Sequence, residues 1–344
     1  MKSDPRLLTV ILNYRTPDMT LQAVAAALRA MDGINGQIVV VDNASGDGSF
    51  EKMLAHADTI GWTAAGRVRV VQSGRNGGFG AGNNHGIQTG LSDGTRPDYV
   101  YVLNSDAFPA PDAIRRLIDY LQTHPEAGFA GSYIHGPDGD PHLTTFRFPS
   151  VSSEFEAAIR FGPVSRMLAE KRVPVDIPDH TRTVDWLAGA SLMMRREVLD
   201  EIGLFDETFF LYFEETDLCL RARRAGYRTV FVRESEVAHI GSVSTGMKEW
   251  QQVPGYWFDS RLHYFTKNHS AFYAALATLA HLTGGVLHRL RQYLRGRRPA
   301  DPPHFLRTLL RHDMAAMFKP HRHAAEPRLT DPVSRPDGSA IVSE

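Results

Sequence analysis

Four short apolar runs follow one another between residues 7 and 103, and the last three lead directly into polar or glycine-rich segments. The runs are Leu7–Leu12, Gln37–Val41, Val68–Val71 and Tyr99–Leu103. Short runs of this kind, rich in β-forming residues, are typical of strands that are buried on both faces of a sheet. Burial on both faces requires covering helices on both sides, so this feature constrains the fold more than any other.

Helix-forming segments alternate with these runs. Thr16 and Pro17 are a capping residue followed by proline at the first helical position. The predicted helices are Pro17–Ala30, Phe50–His56 and Pro111–Thr123, and a fifth strand is predicted over Gly128–Ile134. Strands that alternate with helices predict an α/β fold with a Rossmann-like, mostly parallel sheet and helices on both faces. In such sheets ligands bind beyond the carboxyl ends of the strands.

Composition supports an ordinary globular protein. The chain has 344 residues, of which 42% are hydrophobic and 22% charged, enough for one large domain with an appendage or for two domains. The net charge of -1 gives no reason to expect a nucleic-acid partner. Cys219 is the only cysteine, which suits a reducing cytoplasm, and its apolar neighbours predict a packing role. The first residues lack the features of a signal peptide, and we expect them to lead into the first strand.

Polar residues after the second and third strands are candidates for ligand contact. Asp42 could accept a hydrogen bond from a base or ribose, or it could simply belong to a turn. The glycine-dense segment Asn76–Asn84 is predicted to be a loop. It lacks the dinucleotide-binding spacing, because Asn83 takes the last glycine position, and it lacks the Lys-Ser/Thr of a P-loop. Either this loop approaches a ligand closely, with Asn76 and Asn83 as hydrogen-bonding groups, or it is only mobile.

Asp106 closes the fourth strand in the sequence Asn104-Ser105-Asp106. A carboxylate at a strand end beside a nucleotide pocket is a natural ligand for Mg²⁺ or Mn²⁺. One carboxylate makes a poor site by itself. His239 could complete it if the fold returns that residue to the same edge, although a lone histidine is more often a packing residue.

The segment Phe209–Arg221, FFLYFEETDLCLR, sets acidic residues directly after an aromatic run. Partial burial would raise the pKa of a carboxylate there and favour proton transfer near neutral pH. The alternative is the first turn of a helix, where Glu214, Glu215 and Asp217 would interact favourably with the helix dipole. The local sequence does not decide between a catalytic and a structural role.

The middle of the chain is less regular, and four elements are predicted there besides the loop Val173–Thr183. They are an edge hairpin over His142–Pro149, a helix over Ser153–Lys171, a short helix over Arg196–Ile202 closed by Gly203, and a strand over Arg228–Val232.

From about Leu262 apolar residues recur at helical spacing, and five arginines cluster between residues 289 and 298. The uncharged part, Ser270–His288, is near the length of a membrane span but contains a histidine and paired glycines. We expect a helix that lies in the headgroup plane, with its arginines on anionic lipid. A spanning helix and a helix packed on the domain are the alternatives. The chain from about Lys319 is predicted to be disordered.

Six motifs in this order resemble the family-2 glycosyltransferases of the GT-A fold. They are VVVDNASGDGS (Val39–Ser49), NGGFGAGNN (Asn76–Asn84), YVLNSDAF (Tyr101–Phe108), WLAGASLMMRR (Trp186–Arg196), GLFDETFFLYFEETDLCLRARRAGY (Gly203–Tyr227) and AHIGS (Ala238–Ser242). The set is most similar to the rhamnosyltransferase-like branch, which builds bacterial cell-surface polysaccharides. RLHYFTKNH (Arg261–His269) looks like the segment that follows the catalytic domain in that branch.

The resemblance implies a role for each motif. Asp42, Asn76, Gly77, Gly78, Asn83 and Ser105 would bind the nucleotide, with Asp42 on the base. Asp106 and His239 would hold the divalent metal, Mn²⁺ or Mg²⁺. Trp186, Gly189, Ala190 and Glu214 would border the acceptor and the donor sugar. Glu215 would be the catalytic base, and Asp217 and Arg221 would be structural.

Two departures from the family pattern affect these roles. The family's Asp-x-Asp is Asn-Ser-Asp here, so one carboxylate is missing. The base is Glu215, where the family usually has Asp. The implied domains are a catalytic domain over residues 1–265, a helical extension over 266–318 that could associate with a membrane, and a disordered tail over 319–344.

The implied function is inverting transfer of a sugar from a nucleotide-diphosphate donor to a glycan or polyprenyl-linked acceptor. dTDP-rhamnose is the favoured donor and a UDP-hexose the alternative. The implied location is cytoplasmic, at the inner face of the cell membrane. A sugar-nucleotide pyrophosphorylase and a non-catalytic, membrane-docked member of a polysaccharide assembly complex remain as alternatives.

Overall fold

A computed structural model describes residues 4–241, 252–297, 302 and 304–317. The strands are β1 (Leu7–Asn13), β2 (Gly36–Asp42), β3 (Val68–Gln72), β4 (Tyr99–Asn104), β5 (Ala107–Pro109), β6 (Ala127–His135), β7 (Thr145–Phe146), β8 (Arg182–Val184), β9 (Trp186–Leu187), β10 (Ser191–Arg195) and β11 (Arg228–His239). The predicted tail from Lys319 and residue Ser242 of the last motif lie outside the described residues.

The helices alternate with these strands and then dominate the C-terminal part. They are α1 (Pro17–Ala30), α2 (Ser49–Thr59), α3 (Gly78–Thr89), α4 (Ala113–Thr123), α5 (Val151–Ile159), α6 (Gly162–Met167), α7 (Arg196–Ile202), α8 (Glu214–Arg224), α9 (Gly255–Asn268), α10 (Ala271–Leu294) and α11 (Phe305–Met317). Helix α9 runs through the predicted domain boundary at residue 265, and the division into domains stays a prediction.

In the described part of the chain, nine strands form one sheet in the order β3-β2-β1-β4-β10-β6-β11-β5, with β8 paired to β11. Strands β1 to β4 and the pair β6–β11 run parallel, whereas β10 lies antiparallel between β4 and β6. The predicted mostly parallel α/β sheet is therefore confirmed. The antiparallel insertion of β10 brings the segment around Gly189 to the carboxyl end of β4.

Alternate residues of β1 enter two separate cores, which explains its continuous apolar sequence. Leu7 and Ile11 pack with α1 and α4 on one face. Leu8 and Val10 pack with α3, α7 and α8 on the other. Burial on both faces needs apolar residues at nearly every position of a parallel strand. Cys219 of α8 lies in the second core, where burial raises the pKa of its thiol to about 12.

Three local predictions were wrong. Most of the glycine-dense segment predicted as a loop forms the start of α3. Its glycines allow close helix packing, because a Cβ on Gly82 would lie 2.4 Å from Leu12 Cδ1 and one on Gly86 2.4 Å from Val10 Cγ1. The predicted edge hairpin is instead the single strand β7, which pairs with β9 in a small second sheet. The predicted helix over Ser153–Lys171 is broken after α5, at Arg160, where φ is 43°.

The C-terminal helices pack around a buried ionic cluster. Arg261 of α9 is fully buried and donates to Glu154 of α5 (2.9 Å) and to Asp313 of α11 (3.3 Å). Burial alone would raise the pKa of Glu154, but Arg261 and His281 hold it at about 2. A buried charge needs such partners to offset its desolvation. Among the described helices, none combines the length and the apolar character that a membrane crossing requires.

Candidate active site

The parallel strands β1, β2 and β4 end side by side, with Asn13 beside Asp42 and Leu12 beside Asn104. Asp42 is 1% exposed, and its carboxylate accepts hydrogen bonds from Asn13 Nδ2 (2.8 Å), Ser45 Oγ (2.6 Å) and the Ser45 amide (3.1 Å). A carboxylate has about four lone-pair positions. Asp42 therefore supports the strand-end turn, with little acceptor capacity left for a ligand.

Asn76 lies next to this turn, held there by Asn43. The Asn76 Oδ1 accepts from Asn43 Nδ2 (3.0 Å) and from the Gly78 amide (3.1 Å), which fixes the start of α3. Asn83 lies within α3, fully buried, and donates to the Phe79 carbonyl (2.9 Å). The fold thus brings Asp42 and Asn76 together and places Asn83 under the helix surface.

Gly78 and Phe79 bring the start of α3 against the aromatic segment before α8, Phe209–Phe213. The Phe79 amide donates to the Phe210 carbonyl (3.0 Å). Gly78 has a φ of 88°, and a Cβ there would lie only 1.8 Å from the Phe210 oxygen. No side chain fits at Gly78, because both the space and the backbone conformation exclude it. Gly78 thus makes a close approach to protein, and a nucleotide role for Gly77 and Gly78 stays a prediction.

The fold does return His239 to the edge that carries Asp106. Strand β5 pairs with the end of β11, so that Ala107 faces His239. The His239 Nε2 lies 3.0 Å from Asp106 Oδ1, and the Gly241 amide donates to Asp106 Oδ2 (3.1 Å). Asn104 Nδ2 is 3.4 Å from the same imidazole nitrogen. Ser105 is 6% exposed between them.

An adjacent carboxylate and imidazole fit a divalent metal that takes its other ligands from phosphate and water. Within the described ranges, no cluster of three or more His, Cys, Asp or Glu side chains could hold a metal. Asp106 and His239 would therefore supply two protein ligands. His142 is a further neighbour that sequence reasoning missed, with its ring 6.1 Å from the His239 ring. A lone histidine gave no sequence signal for this contact.

Glu214 and Glu215 form the first turn of α8, directly after two strained residues. Tyr212 and Phe213 have φ values of 72° and 70°. Such conformations are costly for aromatic residues and occur where the surrounding structure holds them. Glu214 and Glu215 follow them at successive positions of α8, about 100° apart around the helix axis, and so enter different environments.

Glu215 is half-buried, and its Oε1 accepts a hydrogen bond from the Gly189 amide (3.0 Å). The next residue, Ala190, accepts from the Asn104 amide through its carbonyl (3.1 Å). Two hydrogen bonds thus connect the Glu215 carboxylate to the end of β4, two residues before Asp106. A Cβ on Gly189 would lie 2.6 Å from Glu215 Oε1, so this contact requires glycine.

The side chain of Glu214 points into the protein. It is 1% exposed, and its Oε2 accepts no hydrogen bond from the part of the chain that is described. Burial, together with the nearby charge of Glu215, raises the pKa of Glu214 well above its ordinary value. Burial also raises the pKa of Glu215. Both carboxyl groups therefore hold a proton more tightly than an exposed glutamate does.

Trp186 packs at the side of this arrangement. Its ring stacks on Phe146 with centroids 4.1 Å apart, and its Nε1 donates to the Arg147 carbonyl (2.9 Å). Ala190 is buried. In this conformation, Trp186 and Ala190 shape the wall behind Gly189, and their contact with a sugar stays a prediction.

Asp217 anchors the opposite side of α8. Its carboxylate accepts from Arg221 Nε, Lys267 Nζ and Asn268 Nδ2, each at 2.8 Å. This geometry fits the structural role that the resemblance implies for Asp217 and Arg221. Sequence reasoning missed Lys267, because the pairing joins α8 to a helix about 50 residues later in the chain.

Asp206 is a second anchor that sequence reasoning missed. Burial would raise the pKa of Asp206, but hydrogen bonds from His263 and Lys267 hold it well below its ordinary value. Helix α9 is thereby fixed to the loop that leads into the aromatic segment.

Comparison with known proteins identifies the class of protein. The sequence model of the family described as "Glycosyltransferase like family 2" matches residues 5–257. The chain belongs to this family and is a glycosyltransferase. The resemblance inferred from the six motifs is therefore confirmed.

Two similar proteins with known names are rhamnosyltransferases. The chain is 30% identical over 248 residues to the N-acetylglucosaminyl-diphospho-decaprenol L-rhamnosyltransferase of Mycobacterium tuberculosis, covering 70% of this chain and 78% of that protein. It is 27% identical over 165 residues to the rhamnosyltransferase WbbL of Escherichia coli, covering 47% of this chain and 60% of WbbL. The similarity to rhamnosyltransferases that the motifs indicated is thus confirmed.

Solved structures confirm the GT-A fold. The mannosyltransferase PcManGT of Pyrobaculum calidifontis, solved with GDP-Man and Mn²⁺, aligns with a TM-score of 0.50 at 14% identity, covering 91% of this chain and 87% of that one. GalNAc-T7, solved with UDP, GalNAc and Mn²⁺, aligns with a TM-score of 0.53 at 14% identity, covering 92% of this chain and 58% of that one.

The buried carboxyl of Glu214 predicts a pH-dependent cost to stability. An unfolded glutamate ionises near pH 4.3. Because the folded protein binds this proton more tightly than the unfolded chain does, protonation of Glu214 stabilises the fold. This stabilisation is fully present below the unfolded pKa and is lost as the pH rises through the folded pKa. Glu214→Gln should therefore melt at a higher temperature than the wild type at about pH 8, and the difference should shrink towards about pH 4.

Thermal unfolding across this pH range measures the effect. The matched control is Glu51→Gln on the exposed surface of α2, which should melt like the wild type at every pH. A Glu214→Gln protein that is less stable than the wild type at high pH would show that the carboxylate has a stabilising partner.

Proposed function

We propose that this protein transfers a sugar from a nucleotide-diphosphate donor to a glycan or polyprenyl-linked acceptor, with inversion at the anomeric carbon. The observation that carries the proposal is the half-buried Glu215 carboxylate, which is hydrogen-bonded to the Gly189 amide and connected through Ala190 to the strand end before Asp106. This arrangement puts a base of raised pKa at the edge where an α/β sheet binds its ligands.

Glu215 acts as the general base. It takes the proton from the acceptor hydroxyl while that oxygen attacks the anomeric carbon of the donor sugar. The bond between that carbon and the diphosphate oxygen breaks, and the nucleoside diphosphate leaves with the bonding electron pair. A single displacement of this kind inverts the anomeric configuration. The Gly189 amide orients the Glu215 carboxylate. The raised pKa of Glu215 suits proton transfer near neutral pH.

The donor occupies the edge formed by β1, β2 and β4. Asp42 and Asn76 shape the nucleoside side, with Gly77, Gly78 and Ser105 around it, while the buried Asn83 supports the start of α3 from within the helix. Asp106 and His239 would hold Mn²⁺ or Mg²⁺. When bound, the metal neutralises negative charge on the diphosphate. Asn104 replaces a carboxylate of the usual family motif, so Asp106 and His239 would be the main protein ligands of the metal.

The donor sugar and acceptor are proposed from the named relatives. Two of them are rhamnosyltransferases, which favours dTDP-rhamnose over a UDP-hexose. The name of the mycobacterial relative describes a diphospho-decaprenol acceptor, which favours a polyprenyl-linked acceptor here as well. Glu214, Trp186, Gly189 and Ala190 would border the sugars. An acceptor of this kind locates the reaction at the cytoplasmic face of the membrane.

Glu215→Gln should lower the rate of transfer by a factor of about 10²–10⁴ and leave nucleotide binding intact. The amide keeps the size of the side chain and can still accept from Gly189, but it cannot take a proton. Transfer is measured with purified protein, and binding by thermal shift with dTDP, UDP and GDP sugars. The control Glu126→Gln, on an exposed turn, should transfer like the wild type.

Near-normal transfer by Glu215→Gln would remove this residue from the base role. A wild-type protein that binds the donor nucleotide but never transfers or hydrolyses it would favour the non-catalytic alternative.

Asp106→Asn should weaken metal-dependent nucleotide binding. The amide keeps the volume of the side chain and can accept from Gly241, but it lacks the charge that a divalent metal favours. The measurement is the shift in melting temperature that the nucleotide produces with and without Mn²⁺. Asp112→Asn, at the exposed start of α4, is the control. A Mn²⁺ dependence equal to that of the wild type would contradict the metal assignment.

A further inference from the structure

Helix α10 exposes its large apolar side chains and buries its small ones. Its buried residues are Ala274, Ala277, Thr278, Gly284, Gly285 and His288. Its exposed large apolar residues include Phe272 (75%), Leu279 (59%), Val286 (58%), Leu290 (53%) and Leu294 (76%). A helix that packs only on its own domain shows the reverse arrangement, with large apolar residues facing the core.

The inner contacts fix this orientation. A Cβ on Gly284 would lie 2.8 Å from the Phe155 carbonyl oxygen of α5, and one on Gly285 would lie 2.7 Å from Leu306 of α11. Helix α10 can pack this closely only through its glycines. It cannot rotate to bury its leucines without losing these contacts.

The exposed apolar residues form one continuous stripe. Positions 272, 276, 279, 286, 290 and 294 repeat at intervals of three, four or seven residues, which places them on one side of a helix. The helix has 24 residues and is therefore about 36 Å long. We call this stripe the outer face of α10. It is a large apolar surface of the kind that marks an interaction site.

The charge around the outer face selects its partner. No aspartate or glutamate occurs between Asp259 and Asp301, whereas arginines occur at positions 289, 291, 295, 297 and 298. Arg295 and Arg297 are exposed at the end of α10. The same helix of a second copy of this chain would offer these arginines no carboxylate partner. Anionic phospholipid complements both the apolar stripe and the arginines.

We propose that the outer face of α10 docks on the surface of an anionic phospholipid bilayer. The leucines enter the boundary between headgroups and acyl chains, and Arg295 and Arg297 contact lipid phosphates. The helix lies along the surface, consistent with the described helices being too short or too polar to span a bilayer.

The docked helix would also position the active site. Helix α9, immediately before α10, packs Tyr256 against Phe210 with ring centroids 5.5 Å apart, and its Ser260 donates to the Leu211 carbonyl (3.0 Å). The aromatic segment that precedes Glu214 is thus fixed to α9, which leads directly into the docking helix α10. The benefit to catalysis rests on the proposed function, since it needs a membrane-borne acceptor, but lipid binding itself does not.

Flotation of the full-length protein with phosphatidylcholine vesicles, with and without phosphatidylglycerol, tests the proposal. The wild type should float with the anionic vesicles and much less with the neutral ones. Leu279→Ser/Leu290→Ser should lower partitioning by at least about tenfold, because two leucines no longer insert. Arg295→Gln/Arg297→Gln should reduce the preference for anionic vesicles, and so should high salt.

Met167→Ser removes from α6 an apolar side chain that is more exposed (76%) than Leu279 or Leu290, and this variant should bind vesicles like the wild type. All variants should keep the thermal shift produced by nucleotide, so a failure of the proposed function remains distinguishable from a failure of docking. Vesicle binding that the leucine pair does not change would overturn the proposal. So would a wild-type dimer that the leucine pair dissociates, because the outer face would then be a contact between two copies.

Discussion

The hydrogen bond from the Gly189 amide to the Glu215 carboxylate joins the two halves of the active site. It connects the start of α8 to the segment before β10, and the neighbouring carbonyl of Ala190 continues the connection to the end of β4. The antiparallel insertion of β10 makes this possible, because it returns the chain to the strand end that carries Asp106.

The Glu215 carboxylate can keep this position only if the start of α8 is fixed by the surrounding structure. Tyr212 and Phe213 adopt left-handed conformations, each of which costs on the order of 1–3 kcal/mol. The Asp217 cluster with Arg221 and Lys267 offsets such costs by fixing α8 to α9. The first turns of α8 are therefore held by the Gly189 amide on one side and by α9 on the other. These contacts reduce the freedom of Glu215 before any substrate arrives.

Much of the sheet could be predicted from the sequence, because two-sided burial leaves a direct signal in runs such as Leu7–Leu12. The glycine-dense segment could not. Helix α3 tolerates glycines because they pack against Leu12 and Val10, and intrinsic preference for a loop gives way to that tertiary contact. The break at Arg160 did carry a local signal, because Gly162 and Pro163 follow two and three residues later, and the predicted helix over Ser153–Lys171 overlooked it. Local pattern decided the strands, while packing decided α3.

The sequence likewise predicts some of the site residues but not the contacts between them. Strand-end position was enough to single out Asp42 and Asp106 as candidates, and Glu215 was singled out because it follows an aromatic run. The contact between Asp106 and His239 depends on the pairing of β5 with β11, which the sequence does not reveal. The anchors Asp206 and Lys267 depend on α9 folding back over the aromatic segment, so that only the structure could find them.

The anomeric configuration of the product tests the central claim most directly. If Glu215 assists a single displacement, nuclear magnetic resonance of the transferred sugar will show the configuration opposite to that of the donor from the first turnover. Retention of the donor configuration would contradict the account, because it would require two displacements or attack from the leaving-group face. In either case the single displacement assisted by Glu215 would be ruled out.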